Sequence, residues 1–162
     1  MTVFHTIAPV FDSNSRILIL GSFPSVKSRE TEFFYGHPQN LFWRILSAVF
    51  EDTLPQTNEE KRMFLLKHRV ALWDVIDSCE ITGSSDQSIK NVVPNDLSVI
   101  LNHANIQQIF TNGGTATRLY RRYMQKQIGK EAIALPSSSP ANAAWTLPSL
   151  VEAWRGIRTT EQ

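Results

Sequence analysis

The run Arg16-Ile17-Leu18-Ile19-Leu20-Gly21-Ser22 is the feature that most narrows what this chain can become. It is short, continuously apolar and closed by small residues, which predicts a strand buried on both faces, as in a parallel sheet. Three further segments read as strands: Val70-Ala71-Leu72-Trp73, Gln108-Ile109-Phe110-Thr111 before Gly113-Gly114, and Ala132-Ile133-Ala134-Leu135. Helical signals stand between and after them. Apolar positions recur at helical spacing from Leu41 to Phe50, with Asn40 as a potential N-cap. Asn58-Glu59-Glu60-Lys61 opens a helix with acidic residues in its first turn. Pro94-Asn95-Asp96 starts another through His103, a basic helix carries Arg118, Arg121, Arg122 and Lys126, and the last runs from Leu147 to Arg158. Alternating strands and helices predict an α/β fold, a parallel sheet covered on both faces, and 162 residues predict one domain over 1–162.

Composition excludes more than it assigns. Sixteen basic against fifteen acidic residues give a net charge of +1, so a nucleic-acid partner has to be argued from local features. The single Cys79 can form no intrachain disulfide and has no CxxC or His-rich companion, so no zinc site is expected and the cytoplasm is the expected compartment. The segment "MTVFHTIAPVFDSNSR" lacks a basic start with a long apolar run, and no window reaches the roughly 18 apolar residues of a membrane span.

In open parallel sheets the ligand crevice lies beyond the carboxyl ends of the strands. Four polar segments leave those ends: "GSFPS" after the first strand, Asp74 after the second, Asn112 after the third and "PSSSPAN" after the fourth. "LGSFPS" has one glycine where a dinucleotide turn has three, and no P-loop lysine, so a nucleotide cofactor is rejected; its backbone N–H groups suit an anion or a carbonyl oxygen. "PSSSPAN" offers hydroxyls and backbone donors in a loop pinned by two prolines, a way to grip a phosphodiester without positive charge. No GxSxG elbow is present. Cys79 reads as a small buried residue, and His5, His68 and His103 as structural or surface residues. In "FYGHPQNLFW" and at Phe33 just before it, the aromatics Phe33, Phe34, Tyr35, Phe42 and Trp43 would ordinarily be core and Asn40 a cap. Their place beside a phosphate-gripping loop on the ligand edge makes them candidates for a site.

Taken together, "GSFPS" (21–25), "YGHPQNLFW" (35–43), "LWDVIDSCEITGSSDQSI" (72–89), "NGGTA" (112–116) and "LPSSSPANA" (135–143) resemble the uracil-DNA glycosylase superfamily, most of all its hypoxanthine-DNA (deoxyinosine) glycosylase branch. The resemblance implies a three-layer α/β/α fold around a four-stranded parallel sheet, damaged DNA as partner, no cofactor, no metal, no membrane, and a monomer. It implies catalytic roles for Asn40, which matches the branch's essential asparagine, and for Asp74, and base contacts from Gly21, Ser22, Phe23, Tyr35 and Asn112. It also implies backbone contacts from Ser137, Ser138, Ser139, Pro140, Ala141 and Asn142. Phe23 stands where many members carry a catalytic Asp or Asn, Leu135 where strong uracil enzymes carry His, and Ser25 where Gly is usual. Phe23 and Leu135 point away from the usual uracil machinery, while Ser25 is a minor change that bears on loop geometry.

The implied reaction extrudes a deaminated base, stacks it on Tyr35 with Phe23 near the opposite wall, and hydrolyses its bond to deoxyribose. Asn40 is a neutral amide that orients or donates but is no effective base. Asp74 matches the position where relatives carry a base-reading asparagine, and a carboxylate only accepts hydrogen bonds. It therefore favours hypoxanthine, with N1–H, over adenine, and uracil, with N3–H, over cytosine. The alternatives are a uracil or mismatch-specific uracil/thymine DNA glycosylase, and a catalytically silent DNA-binding module of the same fold.

Overall fold

The computed structural model describes residues 1–161, with backbone alone at 159–161. Its centre is a parallel sheet of β2 (Ile17–Gly21), β3 (Val70–Asp74), β6 (Gln108–Asn112) and β7 (Ala132–Leu135) in the order β3-β2-β6-β7. Every residue of β2 and β3 is buried. Successive side chains of a strand point to opposite faces, so the sheet is covered on both faces at β2 and β3, while the edge strand β7 is exposed at Ile133 and Ala134. The cover comes from α2 (Phe42–Val49), packed on α7 (Leu147–Trp154), from α3 (Asn58–Lys67) on β3, from α5 (Gly114–Tyr123) on β6 and β7, and from α8 (Gly156–Glu161) on β2.

The register places the strand ends level: Gly21 pairs with Asp74, Leu20 with Thr111, and Asn112 with Leu135. From β2 the chain crosses to β3 on one side and later to β6 on the other, so the sheet's switch point lies between β2 and β6. That is where a crevice opens in folds of this class.

A second sheet, β1 (Thr2–Phe4), β4 (Ile76–Glu80) and β5 (Lys90–Pro94) in the order β1-β4-β5, is antiparallel and departs from the uninterrupted strand–helix alternation expected from sequence. Only Val75 separates β3 from β4. The buried Asn95 clamps this junction, its Nδ2 donating to the carbonyls of Asp74 and Ile76 at 2.9 and 3.1 Å. Three helices also differ from expectation. The one predicted from Pro94 to His103 is reduced to α4 (Ser98–Leu101), because Lys90–Pro94 pairs as a strand. The basic helix divides at Met124 into α5 and α6 (Gln125–Ile128), and the last divides at Arg155 into α7 and α8. A short α1 (Val26–Thr31), capped by the Ser25 hydroxyl, follows "GSFPS". No helix among the described residues is long and apolar enough to cross a membrane.

Candidate active site

A crevice of about 600 Å³ opens at the carboxyl ends of the parallel strands. Its wall brings together Gly21, Ser22, Phe23, Tyr35, Asn40, Asp74, Asn112 and the 137–141 loop. Asn142 is not on this wall. Its Nδ2 donates to the Ser137 carbonyl at 3.0 Å, so the residue frames the loop where sequence had assigned it a DNA contact.

One chain of hydrogen bonds fixes how the amides face. The Ser138 backbone N–H, which can only donate, meets Asn112 Oδ1 at 3.0 Å; Asn112 Nδ2 therefore donates to Ser138 Oγ at 2.9 Å. The Ser138 hydroxyl then spends its proton on Asn40 Oδ1 at 2.8 Å. The Phe42 N–H also donates to that oxygen, at 3.0 Å. Both acceptor positions of Oδ1 are filled, which leaves the Asn40 NH₂ as the part of the amide available to a ligand. The expected capping role is met only partly, since the N-cap of α2 is Leu41 and Asn40 stands one residue earlier.

Ser138 is 1% exposed, so its hydroxyl serves this network and not a phosphate. The backbone donors expected of the loop are also largely consumed: the N–H groups of Ser138, Ser139, Ala141 and Asn142 donate to Asn112 Oδ1, Ser137 Oγ, Ser139 Oγ and the Ser139 carbonyl. The hydroxyl protons of Ser137 and Ser139 are left available to a phosphate. The loop is anchored from beneath by Trp154, whose Nε1 donates to the Pro136 carbonyl at 2.9 Å. Gly113 permits this packing. Its φ of 93° and ψ of 167° lie in a region open almost only to glycine, and a Cβ there would stand 2.9 Å from Ser137 Cβ. Gly113→Ala is expected to cost about 1–3 kcal/mol of stability, read from denaturant midpoints; a change below about 0.5 kcal/mol, typical of an ordinary surface substitution, would contradict the assignment.

Of the five aromatics singled out in sequence, Phe33, Phe34, Phe42 and Trp43 are buried core, with Phe34 also reaching the crevice. Tyr35 is different. It stacks on Phe42 with centroids 4.0 Å apart and planes 18° from parallel, and its φ is 53°, a left-handed conformation that costs a non-glycine residue about 1–2 kcal/mol. Gly36 N–H, donating to the buried Ser28 Oγ at 3.0 Å, holds the turn. The Tyr35 hydroxyl is buried and makes no hydrogen bond of ordinary geometry, although the Asn112 side chain interacts with it. Burial first, and then the Asp74 carboxylate, push its pKa above the ordinary phenol value, so it stays a neutral donor. It converges with Asp74 over Gly21, where a Cβ would overlap Asp74 Oδ1 and stand 2.7 Å from the Tyr35 hydroxyl. A larger residue there would have to displace both groups.

Asp74 has a partner that sequence reasoning missed. His5 Nε2 lies 2.8 Å from Asp74 Oδ2, with side-chain exposures of 2% and 4%. His5 follows β1, and its backbone N–H donates to the Asp77 carbonyl at 2.7 Å, so the antiparallel sheet delivers it. Of the two expectations for it, structural or surface, the first fits its position: it sits among Phe23, Phe34 and Trp73. A lone histidine 69 positions away from its partner carries no spacing signal.

A second cleft of about 580 Å³ lies beside this region, lined by Gly113, Gly114, Thr117, Arg118, Arg121 and Arg122 against Ala134 and Leu135. These arginines are exposed along α5, as a solvated helix face has them, and the depression they border is shallow and open.

The family model for the uracil DNA glycosylase superfamily matches residues 8–158. The chain belongs to that superfamily. A hypoxanthine DNA glycosylase of Methanosarcina barkeri is 35% identical over 148 residues, 90% of this chain and 92% of that protein. One of Methanosarcina acetivorans is 36% identical over 134 residues, 82% and 84% of the two chains. A solution NMR structure of a candidate uracil DNA glycosylase from Methanosarcina acetivorans superposes with a TM-score of 0.83 at 32% identity, covering all of both chains. The parallel sheet and the helices around it are consistent with the three-layer fold of the superfamily.

Proposed function

We propose that this chain is a single-domain, monomeric, cytoplasmic DNA glycosylase that removes a deaminated base, hypoxanthine foremost, from DNA. The observation that carries the proposal is the fixed direction of the Asn112–Ser138–Asn40 chain. It offers an amide donor to a crevice whose wall also holds an aromatic ring and a carboxylate. The names of the two Methanosarcina relatives support hypoxanthine, and so does Phe23, an apolar group where a water-activating carboxylate would stand.

The extruded base stacks against Tyr35, worth about 1–3 kcal/mol against the few kcal/mol lost on unstacking. Asp74 accepts the N1–H of hypoxanthine. As the C1′–N9 bond breaks, its electron pair moves to the base and positive charge spreads over C1′ and the ring oxygen. Donors at the base, from Asn40 Nδ2 and the Ser22–Phe23 backbone, stabilise the departing anion. Water then adds to C1′, its hydroxyl remaining on the sugar and its proton ending on the base.

The Ser137 and Ser139 hydroxyls contact the DNA backbone, with Pro140 and Ala141 beside them, and the Arg121–Arg122 cleft supplies the charge that the loop lacks. Each phosphate neutralised steepens the fall of log K with log salt by about 0.9. Substituting both arginines by Ala is therefore expected to flatten the slope of duplex binding by about 1.8; an unchanged slope would place the DNA elsewhere.

The proposal is tested with oligonucleotides containing hypoxanthine, uracil or xanthine, followed by alkaline cleavage at abasic sites. Cleavage of the hypoxanthine strand is expected, faster than of the uracil strand. Efficient uracil or mismatched-thymine release with no hypoxanthine release would favour the other glycosylase type, and tight DNA binding with no cleavage at all the silent module.

A further inference from the structure

The buried His5–Asp74 pair has a fixed hydrogen-bond direction. The Ile7 N–H donates to His5 Nδ1 at 3.2 Å, and a backbone N–H cannot accept, so Nδ1 is the unprotonated nitrogen and Nε2 carries the proton. Nε2–H therefore donates to Asp74 Oδ2. The two carboxylate oxygens become inequivalent: Oδ2 is taken, while Oδ1 stands over Gly21 beside the Tyr35 hydroxyl on the crevice wall. His5 is itself locked. Its backbone is tied to β4 through Asp77, and Phe23, Phe34 and Trp73 surround the ring, the first and last edge-on at centroid distances of 6.0 and 6.4 Å. Asp74 is fixed from the other side by Asn95, which holds its carbonyl.

We propose that His5 is a positioning residue for base selection: by donating to Asp74 Oδ2 it turns Oδ1 alone toward the base and makes the site selective for bases presenting a ring N–H. The proposal rests on the reading of Asp74 as the base-contacting carboxylate. It explains why a three-residue strand at the start of the chain is tied to the mouth of a crevice built by other elements: β1 and β4 together carry the histidine to its acceptor. It also gives Phe23 a second use, since its ring lines the crevice on one side and meets the imidazole on the other.

Single-turnover excision from a hypoxanthine oligonucleotide tests this. His5→Phe keeps an aromatic but removes the donor. It is expected to slow excision at least tenfold while leaving the Kd for duplex with a tetrahydrofuran abasic site, which has no base to read, within twofold. His5→Gln keeps a donor and is expected to recover most of the lost rate. In an Asp74→Asn background the effect should reverse sign. There, Nε2–H of His5 captures the amide oxygen and turns NH₂ toward the base. His5→Phe releases the amide and raises the hypoxanthine rate.

Full activity in His5→Phe, or equal slowing by His5→Phe in both backgrounds, would overturn the role of His5 alone. Unaltered base preference in Asp74→Asn would overturn it together with the reading of Asp74, and absence of excision by the unsubstituted protein would overturn the function itself.

If His5→Phe does not fold, the unsubstituted protein decides. In ¹⁵N-histidine spectra the His5 Nε2–H resonance should move on binding duplex with 2′-fluoro-deoxyinosine and stay in place with the same duplex carrying adenine. No movement with either contradicts the proposal.

Discussion

Replacing Asn40 by Ala is expected to lower the single-turnover rate of hypoxanthine excision by about 10²–10³-fold, the usual loss when one preorganised donor is removed from a developing anion. The affinity for damaged duplex should change little, because the donor acts where charge appears as the glycosidic bond breaks and not on the uncleaved substrate. The structure adds a distinguishing detail. Asn40 Oδ1 accepts from both Ser138 Oγ and the Phe42 N–H, so Asn40→Asp puts a carboxylate where those two donors already bind one oxygen and presents an acceptor to the base in place of a donor. Asn40→Asp should therefore be nearly as slow as Asn40→Ala. Retention of the full rate by either variant would remove Asn40 from the reaction.

For Asp74→Asn the expected result is loss of hypoxanthine excision by about 100-fold or more, with hypoxanthine losing its advantage over adenine. The reason lies in the partner. With His5 Nε2–H fixed as a donor, an amide in this place satisfies it with its oxygen and faces its NH₂ to the crevice. A base N1–H then meets a donor, leaving two buried donors unsatisfied at about 1–3 kcal/mol each, whereas the bare N1 of adenine would be matched. Excision assays on paired hypoxanthine and adenine oligonucleotides measure this directly. Preference unchanged from the unsubstituted protein would show that Asp74 does not read the base.

The parallel sheet was legible because β2 and β3 are fully buried apolar runs, which need no alternation, and because β6 and the edge strand β7, exposed at Ile133 and Ala134, still carry short apolar cores between turn and helix signals. The antiparallel sheet was not. β5, Lys90–Pro94, is mostly exposed and ends in proline, and β4, "IDSCE", carries no apolar pattern that separates it from a loop. The rule that ligands gather at the carboxyl ends of parallel strands was enough to single out Gly21, Asp74, Asn112 and the serine loop, and the structure places all four on one crevice. It could not distinguish Ser138 from its neighbours, because which of three consecutive hydroxyls turns inward depends on the packing of the loop over Gly113 and Trp154. Nor could it find His5, whose meaning comes wholly from a contact made through tertiary structure.

The central claim is that the base leaves the helix and enters this crevice with its scissile bond beside Asn40. A crystal structure with duplex DNA containing 2′-fluoro-deoxyinosine tests it most directly, since the fluorine disfavours positive charge at C1′ and preserves the bond. The expected result is hypoxanthine against Tyr35, N1 within hydrogen-bond distance of Asp74 Oδ1, and Asn40 Nδ2 within reach of the base. A base still stacked in the duplex, or one seated in the arginine-lined cleft beside α5, would contradict the account.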